Sequence, residues 1–209
     1  MIPMTTDRQR YWKDVYRQND VQRVSWYRPH LDVSLRLMQR AGLDPKSRVI
    51  DVGAGASTLI DDLLALGVKS ITALDLSEES LAVARARLAA NAESVQWIVA
   101  DVTAVKLPPS SIDIWHDRAA LHFLIDAQDV SQYVEVASNA IASGGFALIG
   151  GFALDGPAIC SGLPVARREP QDIAALFAQR FVLEDSVRET HHTPSGNQQS
   201  FAYTVLRKV

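Results

Sequence analysis

The sequence predicts an α/β fold built on a mostly parallel sheet, and three observations carry that expectation. Short β-like runs alternate with longer stretches of helical spacing. A glycine turn, Gly53 to Gly55, separates the first β-like run from the helical stretch after it. The last two β-like runs have no helical stretch between them, which suits an antiparallel hairpin at the sheet edge.

Two helices are expected first, over Thr5 to Gln18 and Leu31 to Ala41, joined by the aromatic segment SWYRP as an N-terminal cover. Arg48 to Val52 is a short apolar run ending at the glycines, and Leu59, Leu63 and Leu66 give Ser57 to Leu66 a helical stripe. Ser70 to Leu74 is the second strand. Ser77 then supplies a capping oxygen, and Glu78 and Glu79 suit the positive end of the helix that Leu81, Val83, Ala84 and Leu88 continue. Val95 to Val99 and Ile112 to Trp115 read as strands three and four, Val130 to Ile141 as a helix, and Gly144-Gly145 as the turn into a fifth strand at Phe146 to Ile149. After Gly151 come a Gly- and Pro-rich loop, a helix near Gln171 to Ala178, and β-like runs at Phe181 to Glu189 and Gln199 to Leu206, which bring the strands to seven.

At 209 residues one domain is expected: a cover over 1–41, a binding core over 42–151, and a substrate loop with the terminal hairpin over 152–209. Hydrophobic residues at 47% and charged residues at 22% supply a core and exclude wholesale disorder. Lys and Arg number 21 against 24 Asp and Glu, a net charge of −3 without the basic excess that nucleic-acid backbones attract. A single cysteine, Cys160, excludes an intrachain disulfide and a zinc site built from several thiolates, and fits a reducing cytoplasm. The longest uncharged, apolar-leaning stretch, Ile141 to Leu154, holds four glycines and falls short of the ~20 residues of a membrane span. The start MIPMTTDRQR lacks the apolar core of a signal peptide. A soluble cytoplasmic protein with no membrane or nucleic-acid partner is expected, its oligomeric state open.

In VIDVGAGAST, Gly53 and Gly55 let backbone approach a ligand closely. Asp75 follows Gly55 by twenty positions, at the end of the second strand, where a carboxylate accepts both hydroxyls of a ribose. Together they point to an adenosine-type ligand. A dinucleotide site places a third glycine where this chain has Thr58, and Asp51 at the mouth of the turn repels a pyrophosphate but attracts an ammonium. The ligand is therefore expected to be cationic at that end.

These residues resemble the class I S-adenosylmethionine-dependent methyltransferases, whose first motif is an acidic residue followed by a G-x-G turn, as in DVGAG. LDLSEESLAVARARL is similar to the family's second-strand acidic loop and helix, VAD to the loop that meets the adenine, SIDIWHDRAALHFL to the fourth-strand segment, and IASGGFALIG to the turn into the fifth strand. The motifs run in family order across roughly residues 42 to 151. The resemblance implies a Rossmann-like fold with a seven-stranded, mostly parallel sheet, and S-adenosyl-L-methionine as cofactor. Asp51, Gly53 and Gly55, with Ser57, would hold the methionine part, Asp75 and Leu76 the ribose, and Asp101 and Val102 the adenine; Asp117 joins the set at the fourth-strand tip. For Asp75 and Asp101 the alternative is a helix-capping or turn role.

Methyl transfer from a sulfonium needs an aligned nucleophile that has lost its proton. His116 and His122, around the fourth strand, are candidate general bases, packing or capping being the alternative. Arg118, Arg167 and Arg168 are candidates to pair with an anionic substrate group. Cys160 and the pair His191-His192, placed between the last two strands, are expected to shape the substrate pocket. A metal is not expected, because strand neighbours such as His191 and His192 point to opposite faces. Tyr11, Trp12, Tyr16, Trp26 and Tyr27 make the N-terminal segment dense in aromatics; Trp12 and Tyr16 share a helical face. The resemblance implies a lid in which Trp12 and Trp26 stabilise the sulfonium and Tyr27 meets the substrate; a helix docked by its apolar stripe is the alternative.

The expected function is methyl transfer to a nitrogen, oxygen or sulfur of a small molecule. YWKDVY and SWYRP also resemble the start of some protein-modifying members, which makes a protein-lysine methyltransferase the first alternative. A non-catalytic cofactor-binding module is the alternative of another class.

Overall fold

The computed structural model describes residues 5–209; the first four residues of MIPMTTDRQR, on which the leader expectation partly rests, lie outside them. The elements in chain order are α1 (Thr5–Gln18), α2 (Asp32–Arg40), β1 (Arg48–Val52), α3 (Leu59–Ala65), β2 (Ser70–Asp75), α4 (Glu78–Leu88), β3 (Val95–Val99), β4 (Ile112–Arg118), α5 (Ala127–Ala140), β5 (Ile141–Phe152), β6 (Ile159–Cys160), β7 (Leu163–Pro164), α6 (Pro170–Phe177), β8 (Phe181–His192) and β9 (Gln198–Lys208). Seven strands form one sheet in the order β3-β2-β1-β4-β5-β9-β8. The pairs from β3 to β5 are parallel, and β9 runs antiparallel to both β5 and β8. The strand order reverses direction at β1 and β4, the crevice where open α/β sheets bind ligands.

The side chains of each strand alternate between two cores. Val49 of β1, Ile114 of β4 and Leu148 of β5 pack with Leu37, Leu59 and Leu81 of α2, α3 and α4. Ile50, Trp115 and Ile149 pack on the other face with Tyr133 of α5 and Phe177 of α6. The same alternation sends His116 and Arg118 of β4 to one side and Asp117 to the other.

Three boundaries depart from the sequence expectation. The terminal hairpin attaches through its second strand, so β9 lies inside the sheet and β8 takes the edge. Gly144 and Gly145 do not break the chain before the fifth strand: Gly144 takes φ +76° within the long β5, whose pairing with β4 slips in register between Ile112 and Ile114. His191 and His192 are the last residues of β8 rather than loop residues, paired with Gln199 and Gln198. No helix among the described residues is long and apolar enough to cross a membrane.

Candidate active site

The carboxyl ends of β1, β2, β3 and β4 open onto a cavity holding about 890 Å³ of space, part of it open to solvent. Its walls include Gly53, Asp75, Leu76, Asp101 and Val102 at the strand tips, Trp12, Tyr16 and Trp26 from the N-terminal segment, Arg118 and Phe123 after β4, and Cys160. A second cavity of about 520 Å³ lies beside it, lined by Asp51, Ser57, Thr58, Tyr27 and His116. Tyr16, Trp26, Gly53 and Arg118 line both and so form the wall between them.

Asp75 is held by backbone: its Oδ2 accepts from the Gly55 N–H at 2.9 Å and its Oδ1 from the Ser77 N–H at 2.8 Å. Ser77 separately caps α4 by accepting from the Ser80 N–H. The carboxylate thus takes part in the turn and still has lone pairs for ribose hydroxyls. Burial pushes its pKa up to about 6, so the carboxylate is ionised at neutral pH by a smaller margin than an exposed one, and ribose hydroxyls would stabilise that form further. Asp101 likewise serves a turn, accepting from the Thr103 N–H at 2.9 Å and the Thr103 hydroxyl at 2.7 Å, while lining the cavity.

The two glycines do different work. At Gly53, with φ +64°, a Cβ would come 2.7 Å from the Ala120 Cβ, so the β1 turn and the loop after β4 approach closely only without a side chain there. At Gly55 a Cβ would collide with the Tyr16 hydroxyl. The space that the sequence reading gave to a ligand at Gly55 is taken by Tyr16.

Asp51 is 2% exposed and its Oδ1 accepts from His116 Nδ1 at 2.7 Å; His116 Nε2 in turn lies 2.9 Å from the Ser34 hydroxyl. A neutral imidazole donating through Nδ1 leaves Nε2 to accept from Ser34. Ser34 is 1% exposed and lines neither cavity, so this chain of three is a support for Asp51 and not a hydrolytic triad. Asp51 Oδ2 has no partner and Asp51 lines the second cavity, which fits the ammonium expected there.

The histidines expected as bases stand outside the large cavity, each for its own reason. His116 has both ring nitrogens engaged beneath the glycine turn. His122 lines a separate small cavity with Arg168, packed against Phe123 and Phe152 with ring centroids 4.3 and 5.0 Å away, and neither nitrogen has a partner. Burial lowers its pKa to about 3, which keeps it neutral. Asp117, on the opposite sheet face from Arg118, accepts from the Ala120 and Leu121 N–H groups and from the Tyr133 hydroxyl. It therefore fixes the loop that carries Ala120 and does not itself line the cavity.

His191 is buried and donates through Nε2 to the Ser25 carbonyl at 2.7 Å, whereas His192 is exposed, the opposite-face arrangement expected of strand neighbours. Neither lines the large cavity. Cys160 does, with its thiol pushed up to about 11 by burial. Arg167 donates to the Leu154 and Gly156 carbonyls, and Arg168 to those of Leu121 and Leu124. Among the described residues no group of three or more His, Cys, Asp or Glu is placed to hold a metal ion.

The aromatic cover is assembled edge to face: Trp12 meets Trp26 and Phe123 with centroids 6.0 and 5.0 Å away, and Tyr16 meets Trp26 at 6.3 Å. The N-terminal segment is thus docked over the cavity by its aromatic side chains. Sequence reasoning left Arg8 and Phe123 out of the site. Arg8 precedes Trp12 by four positions on the same helical face, a spacing that could have found it.

Residues 49–145, a little under half of the chain, match the family described as "Methyltransferase domain", and the strand order, the turn carboxylates and this cavity agree with the class I S-adenosylmethionine-dependent methyltransferases. S-adenosyl-L-methionine is the cofactor of that class. Among solved structures, the chain is similar to a Burkholderia thailandensis 1,6-didemethyltoxoflavin-N1-methyltransferase with bound 1,6-didemethyltoxoflavin and S-adenosylhomocysteine (TM-score 0.74, 21% identity, 100% of this chain and 92% of that one). It is also similar to an S-adenosylmethionine-dependent methyltransferase from Anabaena variabilis (TM-score 0.75, 14% identity, 100% and 96%). Among curated proteins it is 24% identical over 119 residues to the eEF1A lysine and N-terminal methyltransferase of Bos taurus. That match takes in 57% of this chain and spans only 17% of the relative's length.

Proposed function

We propose that this chain transfers the sulfonium methyl of S-adenosyl-L-methionine to a nitrogen, oxygen or sulfur nucleophile of a small molecule. The observation that carries the reading is the roof over the acceptor side of the large cavity. The Tyr11 hydroxyl of α1 donates to the Ser161 carbonyl in the β6–β7 turn, and Trp12 packs on Phe123. A chamber covered from both sides suits a small acceptor better than a protein loop. The fit of the whole chain onto the toxoflavin-precursor enzyme, a small-molecule methyltransferase by its name, supports the same reading.

In this proposal Asp75 receives the ribose hydroxyls, Asp101 and Val102 border the adenine, and Asp51, backed by His116 and Ser34, receives the ammonium. When bound, the cofactor supplies an activated methyl; the protein aligns the acceptor, excludes water and fixes the charges around it. A reducing cytoplasm, suggested by the lone Cys160 thiol, belongs to the same reading.

The second reading, a protein-lysine methyltransferase, is favoured by the curated relatives, which are named for lysine and N-terminal methylation. A screen of metabolites and lysine-containing peptides that measures S-adenosylhomocysteine release separates the two. Turnover with small molecules alone is expected; turnover with peptides alone would establish the second reading.

A further inference from the structure

Arg118 ends β4 with its guanidinium enclosed. Its Nε donates to the Tyr203 hydroxyl at 3.0 Å, its Nη1 donates to the Trp26 carbonyl at 3.1 Å, and its plane lies over the Phe201 ring with 4.6 Å to the centroid. Nη2 is buried and has no partner. Among the described residues no carboxylate forms an ion pair with Arg118. The nearest negative charge along its bonds is Glu189, which accepts from the Tyr203 hydroxyl but is itself paired with Arg28 at 2.8 Å. Arg118 is half-buried, and an enclosed guanidinium nitrogen without an acceptor carries a desolvation cost that an anionic ligand at the same guanidinium would offset.

Arg118 also stands in the wall that both cavities share. With adenosine on the Asp75 side and the methionine ammonium on the Asp51 side, the sulfur that joins the two halves of the cofactor would fall at that wall. A sulfonium beside an uncompensated guanidinium is a like-charge pair. No base stands at the acceptor end: the carboxylates of the cavity, Asp75 and Asp101, belong to the nucleoside end, no histidine lines the cavity, and its cysteine is held as a neutral thiol.

Resting on the methyl-transfer reading, we propose that the acceptor binds as an anion, its nucleophilic atom already ionised and held against Arg118 Nη2. The class is an acidic nucleophile on an apolar, aromatic-faced body: an aryl thiol, a phenol or enol, or an acidic ring N–H, flanked by Trp12, Trp26 and Phe123. The proton leaves to solvent before the acceptor is enclosed. The anion's electron pair then forms the bond to the methyl carbon as the carbon–sulfur bond breaks and its pair stays on sulfur. One anion and one cation become two neutral products, so no side chain has to take a proton during transfer. The Nη2 donor stabilises the ionised acceptor, and the acceptor relieves the repulsion between guanidinium and sulfonium. A protonated lysine brings a third positive charge to the same place.

The test uses 4-nitrothiophenol, an ionised aryl thiol at neutral pH, and 4-nitrotoluene, its neutral isostere, titrated into the S-adenosylhomocysteine complex with tryptophan fluorescence as the readout. The proposal expects saturable quenching by the thiolate at least tenfold tighter than by the isostere. It expects that preference to disappear in Arg118→Met and to return in part in Arg118→Lys, with S-adenosylhomocysteine affinity within about twofold of wild type in both, which also reports that the variants fold. Equal binding of the two probes, or no saturable thiolate binding, would overturn it. So would a tenfold loss of S-adenosylhomocysteine affinity in the variants, which would assign Arg118 to the cofactor's own carboxylate. Failure of the wild-type protein to bind S-adenosylhomocysteine at all would instead overturn the methyl-transfer reading itself.

Discussion

The two ends of the large cavity are built on opposite plans. At the nucleoside end, Asp75 and Asp101 accept from donors no more than twenty residues away in sequence, most of them backbone N–H groups. At the acceptor end, Arg8, Trp12, Trp26, Arg118 and Cys160 come from four distant segments, held by edge-to-face rings and by single hydrogen bonds such as Arg118 to Tyr203. The first end is preformed by the sheet and carries negative charge; the second depends on tertiary packing and carries a positive charge without a partner. In the proposed reading the first plan serves a common cofactor and the second a particular acceptor.

The largest effect that would sharpen this contrast is expected at Asp75. Asp75→Ala removes a charge-assisted acceptor and should weaken S-adenosylhomocysteine binding by roughly 1.5–3 kcal/mol, about ten- to a hundredfold, in calorimetry. An unchanged affinity would break the nucleoside assignment. Next comes Tyr133→Phe, which strips one donor from buried Asp117 and should lower urea stability by about 1–3 kcal/mol while cofactor affinity stays within twofold. A large loss of affinity with normal stability would return Asp117 to the cofactor set.

The pH dependence is smaller and its sign follows from burial. Asp75 has its pKa raised to about 6 in the free protein, and ribose hydroxyls bind the ionised form, so S-adenosylhomocysteine affinity should rise from pH 5 to pH 7 and level off above. Flat affinity across that window would contradict it. The smallest effect belongs to His122, whose pKa is depressed to about 3 by burial. The unfolded chain takes up a proton near the ordinary value of about 6.5 while the folded one does not, so His122 costs stability as pH falls below that value. His122→Leu should flatten the acid side of a thermal-stability profile, remove an imidazole with two unpartnered nitrogens, and leave turnover with a genuine acceptor within about twofold. A collapse of turnover alone would restore the base role.

The contrast also explains what the sequence made legible. Strand tips in a parallel sheet end together: Val52 pairs with Leu74, and Asp75 with Val99. Residues just past successive strands therefore share one rim, so Gly53 and Asp75 could be found by spacing, and Asp101 by the resemblance of VAD to the family's adenine loop. The acceptor end has no such ruler. His122 resembles a base in a motif, but the single turn after β4 directs its ring into a pocket with Phe152, a choice made by long-range packing. Strand alternation did hold information that went unused: Asp117 and Arg118 are neighbours in β4, so only one can face the side of His116 and the cavities. Arg118 is that residue. The solitary state of its guanidinium was not readable, because it depends on Tyr203 and Glu189 arriving from the terminal hairpin.

A crystal structure with S-adenosylhomocysteine tests the central claim most directly. The account predicts both ribose hydroxyls on the Asp75 carboxylate, the α-ammonium near Asp51 Oδ2, and Arg118 Nη2 left facing the space beside the sulfur. The methionine carboxylate seated on Arg118, or the nucleoside bound away from Asp75, would contradict it.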